Sequence, residues 1–172
     1  MLIGQLRSHH RARLAELLVD TGAFHADEVE VALSLFDLSL RSAAMSMDDT
    51  APDYEFVGAF EEDRLVGYAC FGPTPATDRT FDLYWLAVDR TTQGRGVGRA
   101  LVRAVEEKLI GRAARLLVVE TSSRPDYAST RQFYARSGYT EAARVRDFYG
   151  PADDRILLTT RLTTRDGGVA TR

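Results

Sequence analysis

The chain has 172 residues, with 22 Lys and Arg against 25 Asp and Glu, three His and one Cys, and this length can bury one sizeable core. A hydrophobic share of 45% beside 27% charge excludes wholesale disorder, and a formal charge of −3 argues against a nucleic-acid partner, which calls for a basic footprint. The lone Cys70 can form no internal disulfide and no cysteine-based zinc site; no apolar run reaches a membrane span or a signal-peptide core, so the expectation is a cytoplasmic protein with no membrane partner.

In chain order, residues 8–20 carry Leu14, Leu17 and Leu18 at helical spacing and meet a stop at Thr21-Gly22. Asp27 is placed to cap a second helix whose Val31, Leu35 and Leu38 share a face, with 43–52 as a linker. Residues 54–60 and 65–71 read as strands joined by the polar turn Glu61-Glu62-Asp63-Arg64, and Gly72-Pro73-Thr74-Pro75 ends the second. Residues 81–88 form the next strand. Val97, Leu101, Val105 and Leu109 repeat every four residues, which predicts an amphipathic helix beginning near Gly96. The apolar run 116–119 reads as a central strand buried on both faces, and 128–136 as a helix closed by Ser137-Gly138. Two more strands are expected near 140–146 and 155–162, then a polar tail over 163–172. Residues 1–162 thus make a single α/β (α+β) domain on one mixed sheet.

The stretch Gln93-Gly94-Arg95-Gly96-Val97-Gly98-Arg99 sits between a strand and a helix. Glycines let backbone approach a ligand, and amides at a helix start can point at an anion. A plain surface turn is the alternative. A P-loop would need Lys-Ser or Lys-Thr after its last glycine, and Arg99-Ala100 supplies neither. A dinucleotide fingerprint would need glycine where Arg99 stands and no intervening residues 89–93, although Glu120 lies where a ribose-binding acid would.

Gln93-x-x-Gly96-x-Gly98 resembles the pyrophosphate loop of the GCN5-related N-acetyltransferases (GNAT), which reads Gln/Arg-x-x-Gly-x-Gly/Ala. Leu86-Ala87-Val88-Asp89 precedes it as that family's strand and turn do. Phe133-Tyr134-Ala135-Arg136-Ser137-Gly138-Tyr139 is similar to its second signature, in the family's order and separation. The resemblance covers 82–140. It implies a mostly antiparallel mixed sheet with a splayed central strand pair, flanked by helices. It also implies acetyl-CoA as cosubstrate, no metal, and direct acetyl transfer to a primary amine of a small molecule or peptide; many members form homodimers. By the same resemblance, Gln93, Gly94, Arg95, Gly96, Val97, Gly98 and Arg99 hold the CoA pyrophosphate. Leu86, Ala87 and Val88 form the strand along which pantetheine lies, with the Val88 N–H facing the reacting carbonyl. Tyr127 stands where the family often has asparagine. An acyl-CoA-binding domain without turnover is the rival reading.

Transfer to an amine poses two proton problems, because an ammonium of pKa about 10 must lose a proton and the departing thiolate must gain one. Tyr134 occupies the family position of the acid beside the sulfur; otherwise it is a packed core tyrosine. Glu120, at a strand end, resembles the glutamate that ribosomal-protein alanine acetyltransferases use as a base through water; otherwise it is a solvated carboxylate. Asp82 is a second base candidate. Tyr84 and Trp85 alternate, so one is expected inward and one on the acceptor cleft. Phe148 and Tyr149 are expected in the loop between the last two strands, as an acceptor wall. Arg124 is either an anion contact or a solvated charge, Cys70 a small core residue, and the adjacent His9 and His10 solvent-exposed on different faces.

Overall fold

A computed structural model describes residues 1–22, 26–45 and 53–162. Among these, the strands are β1 (Leu2–Gln5), β2 (Glu55–Glu61), β3 (Arg64–Pro73), β4 (Thr80–Val88), β5 (Leu116–Ser122), β6 (Thr140–Gly150) and β7 (Asp153–Arg161). The helices are α1 (Arg11–Thr21), α2 (Ala26–Met45), α3 (Val97–Ile110) and α4 (Ala128–Arg136). One sheet runs β1-β2-β3-β4-β5-β7-β6. Its neighbours are antiparallel except β4 and β5, which run parallel on either side of the α3 crossover. This is the helix-flanked, mostly antiparallel mixed sheet that the motifs imply.

Two cores cover the two faces. The α3 stripe Val97, Leu101, Val105 and Leu109 is buried with Phe71, Leu117, Val119, Ile156 and Tyr134. Leu14, Leu17 and Leu18 of α1 and Ala32 and Phe36 of α2 pack with Tyr68, Cys70 and Ala87. Adjacent Cys70 and Phe71 fall into different cores, because successive strand residues point to opposite sides. β3 is therefore the strand buried throughout, from Leu65 to Gly72. β5 was expected in that role, but only Leu117 and Val119 of its apolar run are buried. The reason is coverage: α1 packs on β3 and β4 and α2 on β2, leaving Leu116 and Val118 partly open.

Local chemistry sets the turns. Glu62 and Asp63 both have positive φ, at 47° and 66°, giving the two-residue primed turn that suits a right-twisted hairpin. α1 stops at Gly22 in the left-handed conformation, φ 65°. α4 stops at Gly138, φ 92°, where Gly138 N–H donates to the Ala135 carbonyl at 3.1 Å and Tyr139 N–H to the Tyr134 carbonyl at 3.0 Å. That pair of bonds is a Schellman cap.

Several expectations need correction. In α2 the buried positions are Ala32 and Phe36, while Val31 and Leu38 are exposed. Turning the helix to bury those two would expose Phe36, whose burial stabilises by roughly 2–3 kcal/mol. Asp27 lies inside the first turn, not at the cap. The expected linker is helical as far as Met45; 46–52 and the tail 163–172 lie outside the described residues. β1 is an added edge strand pairing Leu2 with Phe60 through Gln5 with Val57, and the exposure of Leu2 removes any alternation that would reveal it. The His9 and His10 rings touch at a tilt of 55°, with centroids 3.9 Å apart. His10 also packs on Phe60 and accepts a hydrogen bond from the Arg7 amide at Nδ1.

Candidate active site

The parallel pairing of β4 and β5 begins at Thr80 with Leu116 and ends at Leu83 with Val119. Beyond it, β4 stays on β3 up to Val88 and β5 stays on β7 up to Ser122, so the two strands part. A bulge marks the fork: Cys70 pairs with Trp85 and Phe71 with Leu83, leaving Tyr84 as the extra residue. The bulge breaks the alternation expected of Tyr84 and Trp85, and both line the resulting cleft of about 800 Å³.

Backbone phase decides what the slot offers. The Asp89 N–H donates to the Val66 carbonyl at 2.8 Å, so in this antiparallel ladder Ala87 and Trp85 also turn their polar groups to β3. The N–H and C=O groups of Leu86 and Val88 therefore face the gap. The Gln93 side-chain amide donates to the Val88 carbonyl there, at 3.3 Å.

Asp89 anchors the loop that follows. Its carboxylate accepts from the Thr91 amide at 2.9 Å and hydroxyl at 2.7 Å, and pairs with Arg13 and, at 3.1 Å, with Arg64. The Thr91 hydrogen bonds, reinforced by the two arginines, hold this carboxyl below its ordinary pKa. Gly94 and Gly96 then take positive φ of 77° and 85°, conformations that a side chain would strain. The first α3 bond runs from Ala100 N–H to the Gly96 carbonyl at 3.0 Å, so the amides of Val97, Gly98 and Arg99 precede it as helix-start donors. The first turn carries Arg99 and no acid, and a cation at the positive end of a helix is unfavourable by ~0.3–1 kcal/mol. A bound anion at the loop reverses that sign. Arg95 instead pairs with Glu61 at 2.9 Å, and Ala87 is buried in the α1–α2 core, so neither forms part of the cleft wall.

Tyr134 lines the opposite wall, from α4. Its ring is 4% exposed and packs edge-on against Phe133 and Tyr139, with centroids 5.0 and 5.3 Å away. Burial pushes its phenol pKa up, so it keeps its proton through neutral and mildly alkaline pH. Glu120 stands at the cleft lip, about two-fifths exposed, with Tyr149 donating to Oε1 and Arg155 paired to Oε2. Arg155 also lies over the Phe148 ring, 4.9 Å from its centroid. Phe148 and Tyr149 belong to the end of β6 and not to the connecting turn, because β6 carries extra residues between the pairs Val145–Arg155 and Gly150–Asp153.

The remaining candidates lie apart. Asp82 sits in the paired half of β4, bonded to the Thr74 hydroxyl at 2.6 Å, away from the cleft wall. Arg124 bonds Asp126 at 2.7 Å and does not line the cleft, whereas Tyr127 does. Cys70 is fully buried, and burial raises its thiol pKa, so it is no nucleophile. Among the described residues no cluster of His, Cys, Asp and Glu could hold a metal, and no helix is long and apolar enough to cross a membrane. Arg13, Arg155 and Thr121, the last of which lines the cleft, sit in no motif of the sequence. Asp89-Arg90-Thr91 carried a local Asx-turn signal, but its arginine partners come from 25 and 76 residues away.

Comparison with known proteins agrees with this layout. The profile of the acetyltransferase (GNAT) family matches residues 14–139. An N-alpha-acetyltransferase, RimI of Mycobacterium tuberculosis, is 30% identical over 125 residues, covering 71% of this chain and 75% of that protein. A crystal structure of a GNAT-family protein from Desulfovibrio desulfuricans superposes with TM-score 0.82 at 36% identity, covering 94% of this chain and 99% of that one. An aminoglycoside 6'-N-acetyltransferase in complex with coenzyme A gives TM-score 0.73 at 17% identity, covering 96% and 99%. The dinucleotide reading of the glycine loop is set aside: the chain belongs to the acetyltransferase (GNAT) family.

Proposed function

We propose that this protein transfers the acetyl group of acetyl-CoA to a primary amine of a small molecule or peptide, by direct attack with both substrates bound. The observation that carries the reading is the fork between β4 and β5, whose open end abuts the amides at the start of α3. The fit is chemical at each point. The gap-facing groups of Leu86 and Val88 suit the two amides of a pantetheine arm. Gly94, Gly96, Val97, Gly98, Arg99 and Gln93 suit a pyrophosphate. The coenzyme A complex of the aminoglycoside enzyme, which shares this fold, supports coenzyme A as the ligand.

In this reading the Val88 N–H, fixed before reaction, faces the oxygen of the thioester carbonyl as negative charge develops on it. Glu120 draws the ammonium proton through water, freeing the amine lone pair for attack. Tyr134 gives its proton to the departing sulfur as the carbon–sulfur bond breaks, leaving CoA and the acetylated amine. The buried, protonated Cys70 leaves no acyl-enzyme route through a cysteine. RimI's action on α-amines makes a peptide N-terminus one acceptor worth testing beside small amines. The test is thermal protection: acetyl-CoA at 100 times its Kd should stabilise by about 2.7 kcal/mol. NAD and ATP should do much less, and equal protection by ATP would reduce the site to generic phosphate binding.

A further inference from the structure

Three buried polar side-chain atoms have no hydrogen-bond partner among the described residues: Tyr68 Oη, Arg155 Nε and Thr121 Oγ1. Tyr68 lies in the core beneath α1 and α2, and the Arg155 guanidinium already engages Glu120 through Nη2. Thr121 differs from both. It is 5% exposed, yet it lines the cleft two residues beyond the last β5 position paired with β4.

Its backbone is already committed. The Ser123 N–H donates to the Asp154 carbonyl at 2.9 Å, and antiparallel alternation then turns the Thr121 amide and carbonyl onto Ile156 of β7. Strand parity puts its side chain on the face of Leu117 and Val119, which is the side of α3 and Tyr134 and opposite to Glu120. That is the side from which the glycine loop approaches, not the lip where Glu120 meets Tyr149. A buried hydroxyl without a partner is destabilising, and valine would fill the same volume without that cost. The free hydroxyl therefore points to a group that enters the slot. A hydroxyl both donates and accepts, which matches a secondary amide better than a thioester, whose oxygen is a weak acceptor.

We propose that Thr121 anchors the pantetheine arm of acyl-CoA, its hydroxyl exchanging a hydrogen bond with an amide of the arm across from the gap-facing backbone of Leu86 and Val88. This rests on the acyl-CoA reading of the cleft, and the experiment separates the two. Calorimetric titration would compare CoA with adenosine 3',5'-bisphosphate, which lacks the arm, on the wild type and on Thr121→Val. The variant should bind CoA about five-fold more weakly, bind the nucleotide fragment as the wild type does, and melt no lower without ligand. The pair Thr121→Ser and Thr121→Ala repeats the comparison without the β-branched valine, and only the alanine variant should lose affinity for CoA. Undiminished CoA binding by Thr121→Val and Thr121→Ala would overturn the proposal. So would an equal loss for CoA and the fragment, which would assign Thr121 to the fold alone. A wild type that binds no CoA would overturn the acyl-CoA reading itself, before any variant is compared.

Discussion

Arg13, on α1, reaches the carboxylate of Asp89 at the end of β4, and so ties the helix layer on one face to the loop that opens α3. The Arg13 Nε also donates to the Leu65 carbonyl at 3.2 Å, which fixes its approach. The loop geometry thus depends on a residue 76 positions away in sequence.

Asp89→Ala should loosen this anchor. The change removes the two Thr91 hydrogen bonds and the contacts to Arg13 and Arg64, but Arg13 keeps Glu16 at 2.8 Å, so the cost is about 1–2 kcal/mol, or a fall in Tm of roughly 5 °C. Among molecules that remain folded, KM for acetyl-CoA should rise more than kcat falls, since the loop positions the nucleotide end and not the reacting carbonyl. Steady-state kinetics at a temperature well below the lowered Tm would check the split.

Gly96→Val should abolish thermal protection by acetyl-CoA. At φ 85° a β-branched residue is strained by roughly 1–2 kcal/mol, and its side chain would stand where the backbone meets the pyrophosphate. A Gly96→Val protein with undiminished protection would remove the loop from the binding site.

Glu55, like Asp89, should contribute to acid sensitivity. Burial raises its pKa, but hydrogen bonds from Arg112 at 3.0 Å and Lys108 at 2.6 Å outweigh burial and hold it below its ordinary value. A lowered folded-state pKa gives stability that is present above the unfolded value, about 4.3, and lost as pH falls through the folded one. Glu55→Gln should therefore lower Tm at pH 7 by roughly 5 °C and flatten its decline below pH 4.3, as thermal melts across pH would show.

How much of this was legible beforehand follows from the range of each interaction. The α3 stripe, the Gly138 cap and the 62–63 turn are local, and periodicity, glycine placement or a polar run between strands reveals them. Gln93, Gly96, Glu120 and Tyr134 line one cleft, and two motifs at a familiar spacing already bring them near each other in the sequence. What escaped depends on tertiary partners. The face that α2 buries is chosen by Phe36 meeting Phe56, with centroids 5.2 Å apart, and Val31 and Leu38 have the same spacing signal. The bulge at Tyr84 inverts side-chain direction at the fork, and nothing in the strand's composition announces it. The partners of Glu120 come from β6 and β7, which sequence placed near the site without saying which residues would touch it.

The two proposed proton carriers should separate by pH. Tyr134→Phe keeps the ring and its packing, so it should lower kcat by about 10²-fold at all pH values while leaving acetyl-CoA affinity little changed. Because burial raises the Tyr134 pKa, its ionisation should not limit the wild type below about pH 10. Glu120→Gln should reduce kcat/KM most below the pKa of the acceptor amine and recover above it, where the amine is already neutral. Wild-type rates for Glu120→Gln across the range would leave water alone to take the proton.

Amine-dependent acetyl transfer leaves a direct signature, the release of free thiol from acetyl-CoA. The purified protein would be incubated with acetyl-CoA and a panel of small primary amines and peptides with free α-amines, and free CoA thiol followed with time. Release should require an amine, saturate in both substrates, match the acetylated amine mole for mole, and fall about 10²-fold in Tyr134→Phe. Tight acetyl-CoA binding with no release above the amine-free rate for any acceptor would contradict acetyl transfer, and would assign the cleft to acyl-CoA binding without turnover.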